Sequence, residues 1–207
     1  CNKREPGSGC PARQGLNRMH AILGASDDCV ATHPSDMCVA LAALAAVVHV
    51  HGPAGARQIP FADFHRLPGD TPQRDNQLAQ DELITGIELP AEPFAVHCRY
   101  IKVRDRASYA FALVSVAAAL QIENGVIREA RLALGGVAHK PWRDPSVEAL
   151  LQGKPASTEL FTHAADALLQ AAKPLAQNGF KVPLARSTII RALSEACAAD
   201  NSQGGMQ

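Results

Sequence analysis

The chain has 207 residues, 47% of them hydrophobic and 19% charged, enough for one substantial packed domain or two small ones and too apolar for a disordered chain. Twenty Lys and Arg balance twenty Asp and Glu, which excludes a net field steering the protein towards nucleic acid or an anionic membrane. The longest apolar run, Cys38 to Val48, is too short to span a bilayer.

Residues 1–20 are rich in Gly, Pro, Arg and Asn and read as an ordered loop. This loop holds Cys1 and Cys10, and Cys29 follows shortly after. Thiols in a turn-rich segment have little packing use, and thiolates are the preferred ligands of iron–sulfur clusters. The Pro-Gly-Ser-Gly stretch between Cys1 and Cys10 can curl its N–H groups towards such a cluster. Four ligands are usual and three are present, and the chain begins on Cys1 without an initiator Met. It therefore reads as a fragment whose upstream part holds the fourth ligand. On spacing alone, free or zinc-bound thiols remain an equal alternative. A disulfide scaffold would spread its cysteines along a smaller chain. Cys38, Cys98 and Cys197 sit in apolar or helical patterns and read as buried small residues.

Ser35-Asp36 precede Met37 to Leu44 as an N-cap before a small-residue helix. Asp36 either caps that helix or accepts hydrogen bonds from hydroxyls of a cofactor. His33 beside it reads as a surface or hydrogen-bonded residue unless it is a ligand. Val47 to Pro60 predicts a hairpin turning at Gly52-Pro53-Ala54-Gly55. Phe61 to Leu67 predicts a helical turn, Pro68 to Asn76 a loop and Leu83 to Leu89 a strand. Three further strands are expected at Val96–Arg104, Ala112–Glu123 and Val126–Gly135, the last two joined by Asn124-Gly125 in a type I′ turn. Pro141 to Arg143 is expected to leave the sheet. Helices are expected near 146–152, 158–173 and 184–198, the second with Leu160, Ala164, Ala167, Leu168 and Ala171 on one apolar face. Lys102, Arg104 and Arg106 alternate along one strand face, either solvated or supplying positive charge beside a flavin. Gly135-Gly136 lacks the spacing of a phosphate loop and reads as a tight strand exit. No Ser-His-Asp order and no zinc-protease motif is present. The residues by themselves reach an α+β chain with a possible metal-binding, redox role.

Several segments carry a more specific resemblance: Cys1 to Cys10, Leu16 to Ala25, His33-Pro34-Ser35-Asp36-Met37, Phe64 to Asp70, Glu82 to Pro90, Ala133 to Ala138 and Lys140-Pro141-Trp142-Arg143. Together they resemble the FAD-binding medium subunit of the molybdenum hydroxylases. Within that family they are similar to the flavin subunits of bacterial periplasmic aldehyde oxidoreductases, of the xanthine dehydrogenase type. The resemblance implies an α+β fold. It comprises the second half of a vanillyl-alcohol-oxidase (PCMH) type FAD-binding domain at 1–92, then a CO dehydrogenase flavoprotein-type C-terminal domain at 93–200 and a polar tail at 201–207. The latter domain is expected to have a three-stranded antiparallel sheet plus helices. The subdomain with the pyrophosphate loop would lie upstream, so this chain alone is expected to be inactive.

By position, the resemblance implies that Asp36 bonds the ribityl or phosphate side of FAD, that Ile84 packs near the isoalloxazine and that Lys102 lies near the ring. It implies Cys1, Cys10 and Cys29 as ligands of an extra 4Fe–4S cluster, with the fourth ligand upstream. The implied partners are a molybdenum-cofactor large subunit, a 2Fe–2S small subunit and an external electron acceptor, in the periplasm or alternatively the cytoplasm. A cofactor-free scaffold of the same fold, or a flavin subunit serving another substrate, are the competing readings.

Overall fold

The computed structural model describes residues 1–91, 93, 94 and 96–199. The expected tail at 201–207 lies outside the described residues, and the expected boundary at 92/93 adjoins positions that do so too. Residues 1–20 form the expected ordered loop, with one 3-10 turn at Pro11–Arg13.

Ser35 is extended and its Oγ accepts from the Cys38 N–H at 3.2 Å, so helix α1 runs Asp36–Ala43. The cap belongs to the serine alone. Asp36 is the first helical residue, its carboxylate left for other partners. Strands β1 (Val47–Gly52) and β2 (Gly55–Pro60) form the expected hairpin. A short helix α2 (Phe61–Phe64) follows, and β3 (Leu83–Glu88) pairs with the other side of β1, giving the antiparallel order β2-β1-β3. One small core joins Val48, Val50 and Ile59 of this sheet to Phe61, Phe64 and the inner residues of α1.

The second sheet is built from β4 (Cys98–Val103), β5 (Val114–Glu123) and β6 (Val126–Gly135). Asn124 and Gly125 have φ of 52° and 75°, the paired positive values of a type I′ turn. The three-stranded expectation needs one correction. Trp142 and Arg143 do not leave the sheet but form β7, opposite Leu134 and Ala133, so the order is β4-β5-β6-β7. The reversal is possible because Gly136 adopts φ 72° against the carbonyls of Ala112 and Leu113, where no Cβ would fit.

Helices α3 (Pro145–Leu151), α4 (Thr158–Leu169) and α5 (Lys181–Cys197) lie near their expected positions. Asp144 and Ser157 cap α3 and α4. The second helix stops short of 173, where Pro174 follows and the Lys173 N–H donates to the Ile22 carbonyl at 2.7 Å.

Strand β5 explains how these layers fit. Val114, Val116, Ala118 and Leu120 join the main core with Leu132, Ile189 and Leu193. Each fully buried aliphatic side chain there contributes about 1.5–3 kcal/mol. On the opposite face β5 offers Ser115 and Ala117, and β6 offers Ala133, so α1 can lie close against the sheet. A side chain at Gly135 would collide with Ser115 and Val39 of α1. Small residues on one face and large ones on the other let a single sheet be buried on both.

Arg143 locks this arrangement. Its Nε and Nη2 donate to the two Glu148 carboxylate oxygens at 2.7 and 2.8 Å, and Nη1 donates to the Ala42 carbonyl at the end of α1 at 3.0 Å. Glu148 Oε1 also accepts the Leu132 N–H at 2.8 Å. The pair is deeply buried, with side-chain exposures of 14% and 6%. Removing one partner strands the other's charge, so Glu148→Ala should cost about 3–5 kcal/mol in urea unfolding. A loss below about 1 kcal/mol would show that Arg143 finds water or another partner.

Lys181, fully buried, holds the segment before α1 to the start of α5. Its Nζ donates to the carbonyls of Met19 at 3.2 Å, His20 at 3.0 Å and Gly136. Asn178 Nδ2 adds bonds to the His20 and Ala21 carbonyls, both at 3.1 Å. Burial first, and then the Arg18 guanidinium, lower the Lys181 ammonium to about 8. An unfolded chain keeps this proton up to about pH 10.4. Between pH 8 and 10 the unfolded state therefore binds more protons, and this group's contribution to stability rises with pH. The stability difference between the natural chain and Lys181→Met should shift in the natural chain's favour across that window; a flat difference would contradict the lowered value.

Candidate flavin-facing seam and cysteine loop

The first turn of α1 meets the edge of the second sheet. Lys102 Nζ donates to Asp36 Oδ2 at 2.7 Å, and the Tyr100 hydroxyl donates to Asp36 Oδ1 at 2.9 Å. Residues two apart on a strand share a face, so Tyr100 and Lys102 both reach one carboxylate. Burial, and then the Asp36 carboxylate, push the Tyr100 phenol above its usual range. Asp36 and Lys102, chosen separately from the sequence, are thus brought into direct contact. Tyr100 was missed, although its spacing from Lys102 was a readable signal.

Asp36 opens onto a pocket of about 120 Å³ lined by Ser35, Thr32, Phe111, Ser115, Gly135 and Gly136. Gly135 and Gly136 bring backbone to the pocket wall, and neither position has room for a Cβ beside its packed neighbours. A volume of about 120 Å³ admits only a portion of a large ligand, and Thr32, Ser35, Asp36 and Ser115 give it hydroxyl and carboxylate oxygens, a lining whose chemistry fits a hydroxyl-bearing part of FAD. Below it, between α1 and the β4–β5 pair, lies an apolar groove of about 340 Å³ lined by Ala43, Leu44, Tyr100 and Ala117. Ile84 stands on β3, an edge strand of the other sheet, opposite Val50 beside a register irregularity in β1, and is 48% exposed.

The cysteine loop is organised around Asn2, which is 5% exposed. The Asn2 N–H donates to the Gly9 carbonyl at 3.0 Å, and Asn2 Oδ1 accepts the Gly9 N–H at 2.8 Å. Its Nδ2 donates to the carbonyl and Oδ1 of Asp28 at 3.0 and 3.1 Å. Asn2, Gly9 and Asp28 are the chain neighbours of Cys1, Cys10 and Cys29. One side chain therefore gathers the backbones of all three. Cys1 is exposed, Cys10 half-buried and Cys29 buried, and all six cysteines are thiols without a disulfide. Thiolates on irregular backbone are the donor type that an iron–sulfur cluster takes, but the loop gathers the three backbones and not the sulfurs. Among the described residues, the one group of ligand atoms within 4.8 Å of one another belongs to His33, Cys38 and His65.

All three of the other cysteines correct the sequence reading, which made them buried. Cys98 is exposed because β4 is an edge strand, and Cys38 is half-buried, packed beside the smaller core. Cys197 is half-buried against the main core. Arg104 and Arg106, exposed, lie beyond β4 in the connection to β5, and Arg106 bonds the Tyr109 carbonyl. Among the described residues no helix is long and apolar enough to cross a membrane.

Residues 22–92 match the family profile described as the FAD binding domain in molybdopterin dehydrogenase, and residues 99–196 match the CO dehydrogenase flavoprotein C-terminal domain. The chain is 50% identical over 200 residues to the aldehyde oxidoreductase FAD-binding subunit PaoB of Escherichia coli, covering 96% of this chain and 59% of that subunit. It is 34% identical over 145 residues to the glyceraldehyde dehydrogenase medium chain of Sulfolobus acidocaldarius, covering 70% of this chain and 48% of that one. Among solved structures, a carbon monoxide dehydrogenase from Hydrogenophaga pseudoflava superposes with a TM-score of 0.71 at 26% identity, over 80% of this chain and 57% of that one. The chain thus spans about half to three-fifths of the length of these relatives. With two adjoining family domains in order and half its residues shared with a flavin subunit, the chain belongs to the FAD-binding subunits of the molybdenum hydroxylase family.

Proposed function

We propose that this chain is the flavin- and cluster-bearing part of the electron-transfer subunit of a molybdenum-dependent aldehyde oxidoreductase. The observation that carries the reading is the contact of Asp36 with Lys102 and Tyr100, beside the glycine-walled pocket, at the seam between the two matched domains. The 50% identity to an aldehyde oxidoreductase subunit favours the aldehyde substrate over those of the other relatives.

When bound, FAD would supply a carrier that can be filled one electron at a time and can hold two, which couples one-electron clusters to an external acceptor. Asp36 would accept hydrogen bonds from its hydroxyl-bearing side, and Lys102, held by Asp36, would lie near the ring. Ile84 would offer an apolar contact. Cys1, Cys10 and Cys29 would hold a 4Fe–4S cluster together with a fourth cysteine from upstream. A large subunit carrying the molybdenum cofactor oxidises an aldehyde to a carboxylate, with water supplying the oxygen and two electrons leaving. A 2Fe–2S small subunit relays those electrons to this subunit, and an external acceptor removes them. By its resemblance the complex works in the periplasm.

Flavin, iron and sulfide content of the full-length subunit, purified with its partners under exclusion of oxygen, tests both cofactors. One FAD with about four irons and four sulfides, in addition to those of the small subunit, is expected. Cys10→Ser should remove the extra iron and sulfide and leave the FAD; unchanged iron would sink the ligand assignment. Neither cofactor would favour the scaffold reading.

The two roles at the start of α1 separate cleanly by substitution. Ser35→Ala should cost about 1 kcal/mol of stability through the lost cap. Asp36→Ala should change stability by less than that, because an exposed ion pair contributes little, while lowering FAD occupancy. Full FAD occupancy in Asp36→Ala would remove Asp36 from the binding site.

A further inference from the structure

The start of α1 also gathers a second set of side chains, of which His33 lines the Asp36 pocket as well. His33 precedes the helix, Cys38 lies in its first turn and His65 follows α2. One ring nitrogen of each histidine and the Cys38 Sγ all lie within 4.8 Å of one another. The rings of His33 and His65 are 4.4 Å apart, tilted by 59°. His65 is only 9% exposed and is fixed between the rings of Phe61 and Phe64, at 5.2 and 4.9 Å.

Two polar atoms in this set are stranded. His33 Nε2 and His65 Nδ1 are buried without a hydrogen-bond partner. A buried unsatisfied nitrogen costs about 1–3 kcal/mol, which an apolar ring of similar shape would avoid. Burial first lowers both imidazoles, with His65 brought down to about 4. Both rings are therefore neutral near pH 7 and carry a lone pair. The neighbouring His139 is a control within the same patch. Its Nδ1 donates to the Arg66 carbonyl at 3.1 Å, and its Nε2 accepts from Lys3 Nζ at 3.0 Å. Both of its nitrogens are engaged, whereas one nitrogen each of His33 and His65 is buried without a partner.

We propose that His33, Cys38 and His65 form a binding site for a single thiophilic transition-metal ion, zinc in the first instance. Two imidazoles and a thiolate match the ligand preference of zinc, and the fourth position falls to water or a small anion. Tetrahedral zinc spaces such donors about 3.4–3.6 Å apart, so the set closes by roughly 1 Å through side-chain torsions. Binding displaces the Cys38 thiol proton, which makes the affinity fall in acid. The charges around the site are Lys140, whose Nζ is held by the Ala62 carbonyl at 2.9 Å, and the Lys3–Asp75 pair. The site is separate from the loop cysteines and shares only His33 with the lining of the Asp36 pocket; its ligand set needs no flavin.

Cobalt(II) is the probe, added to the metal-free full chain in which Cys1, Cys10 and Cys29 are all replaced by Ser. One equivalent should produce the visible bands of tetrahedral cobalt with a thiolate charge-transfer band. Adding Cys38→Ser should abolish the charge-transfer band, and His65→Gln should weaken zinc binding by more than about 100-fold, beyond what changes outside the ligand shell cause. Circular dichroism identifies a variant that fails to fold, and His33→Gln, outside any helix or strand, then carries the same readout. No band in the triple-Ser chain, or a band that survives Cys38→Ser, would overturn the site.

Discussion

The Arg143–Glu148 pair is the contact on which the remaining geometry depends. It is bidentate, nearly dry, and bonded at once to β6 through Leu132 and to the end of α1 through Ala42. A guanidinium at a helix C-terminus meets the negative end of the helix dipole. Here it also fixes where that helix stops along the sheet. With α1 seated at one end by Arg143 and close against Ser115, Ala117 and Ala133, its first turn can only arrive beside β4. The Asp36 contacts with Tyr100 and Lys102 follow from a lock at the opposite end of the helix. Stability and function are joined here, because moving α1 by a fraction of a turn would break the seam without touching a residue in it.

The elements with local rules were legible in the sequence. Asn124-Gly125 demanded a type I′ hairpin, Gly52 to Gly55 a second hairpin of another turn type, and the apolar spacing after Thr158 a helix. Those rules depend on neighbours in the chain, so sequence suffices. Trp142 and Arg143 show where it stops. Two residues after a proline carry no strand signal, and they pair with β6 only because Glu148, from the next helix, holds the arginine in place. Cys98 shows the same limit: its pattern reads as buried, but an edge strand has no neighbour on one side.

The candidate site was legible in part for a related reason. Asp36 and Lys102 were readable as members of a family pattern, yet their contact across 66 residues was not. The cap at α1 was assigned to a Ser-Asp pair, and only the backbone geometry divides the labour, giving the helix to Ser35 and the seam to Asp36. The histidines fared worst. Each is isolated in the sequence, at 33, 65 and 139, and a lone histidine carries no message until folding sets it beside another. The difference between His139, bonded at both nitrogens, and its two neighbours is purely a property of the folded chain.

Asn2 changes what the proposed cluster would ask of its loop. Small metal domains often have no structure until the metal arrives, so that the ion is the architect of its own site. In this loop an amide side chain already draws Gly9 and Asp28 together, and with them the backbones that carry the three thiols. If the proposed cluster forms, iron would meet a loop whose backbone is already drawn together, and its loss would leave that part of the frame standing.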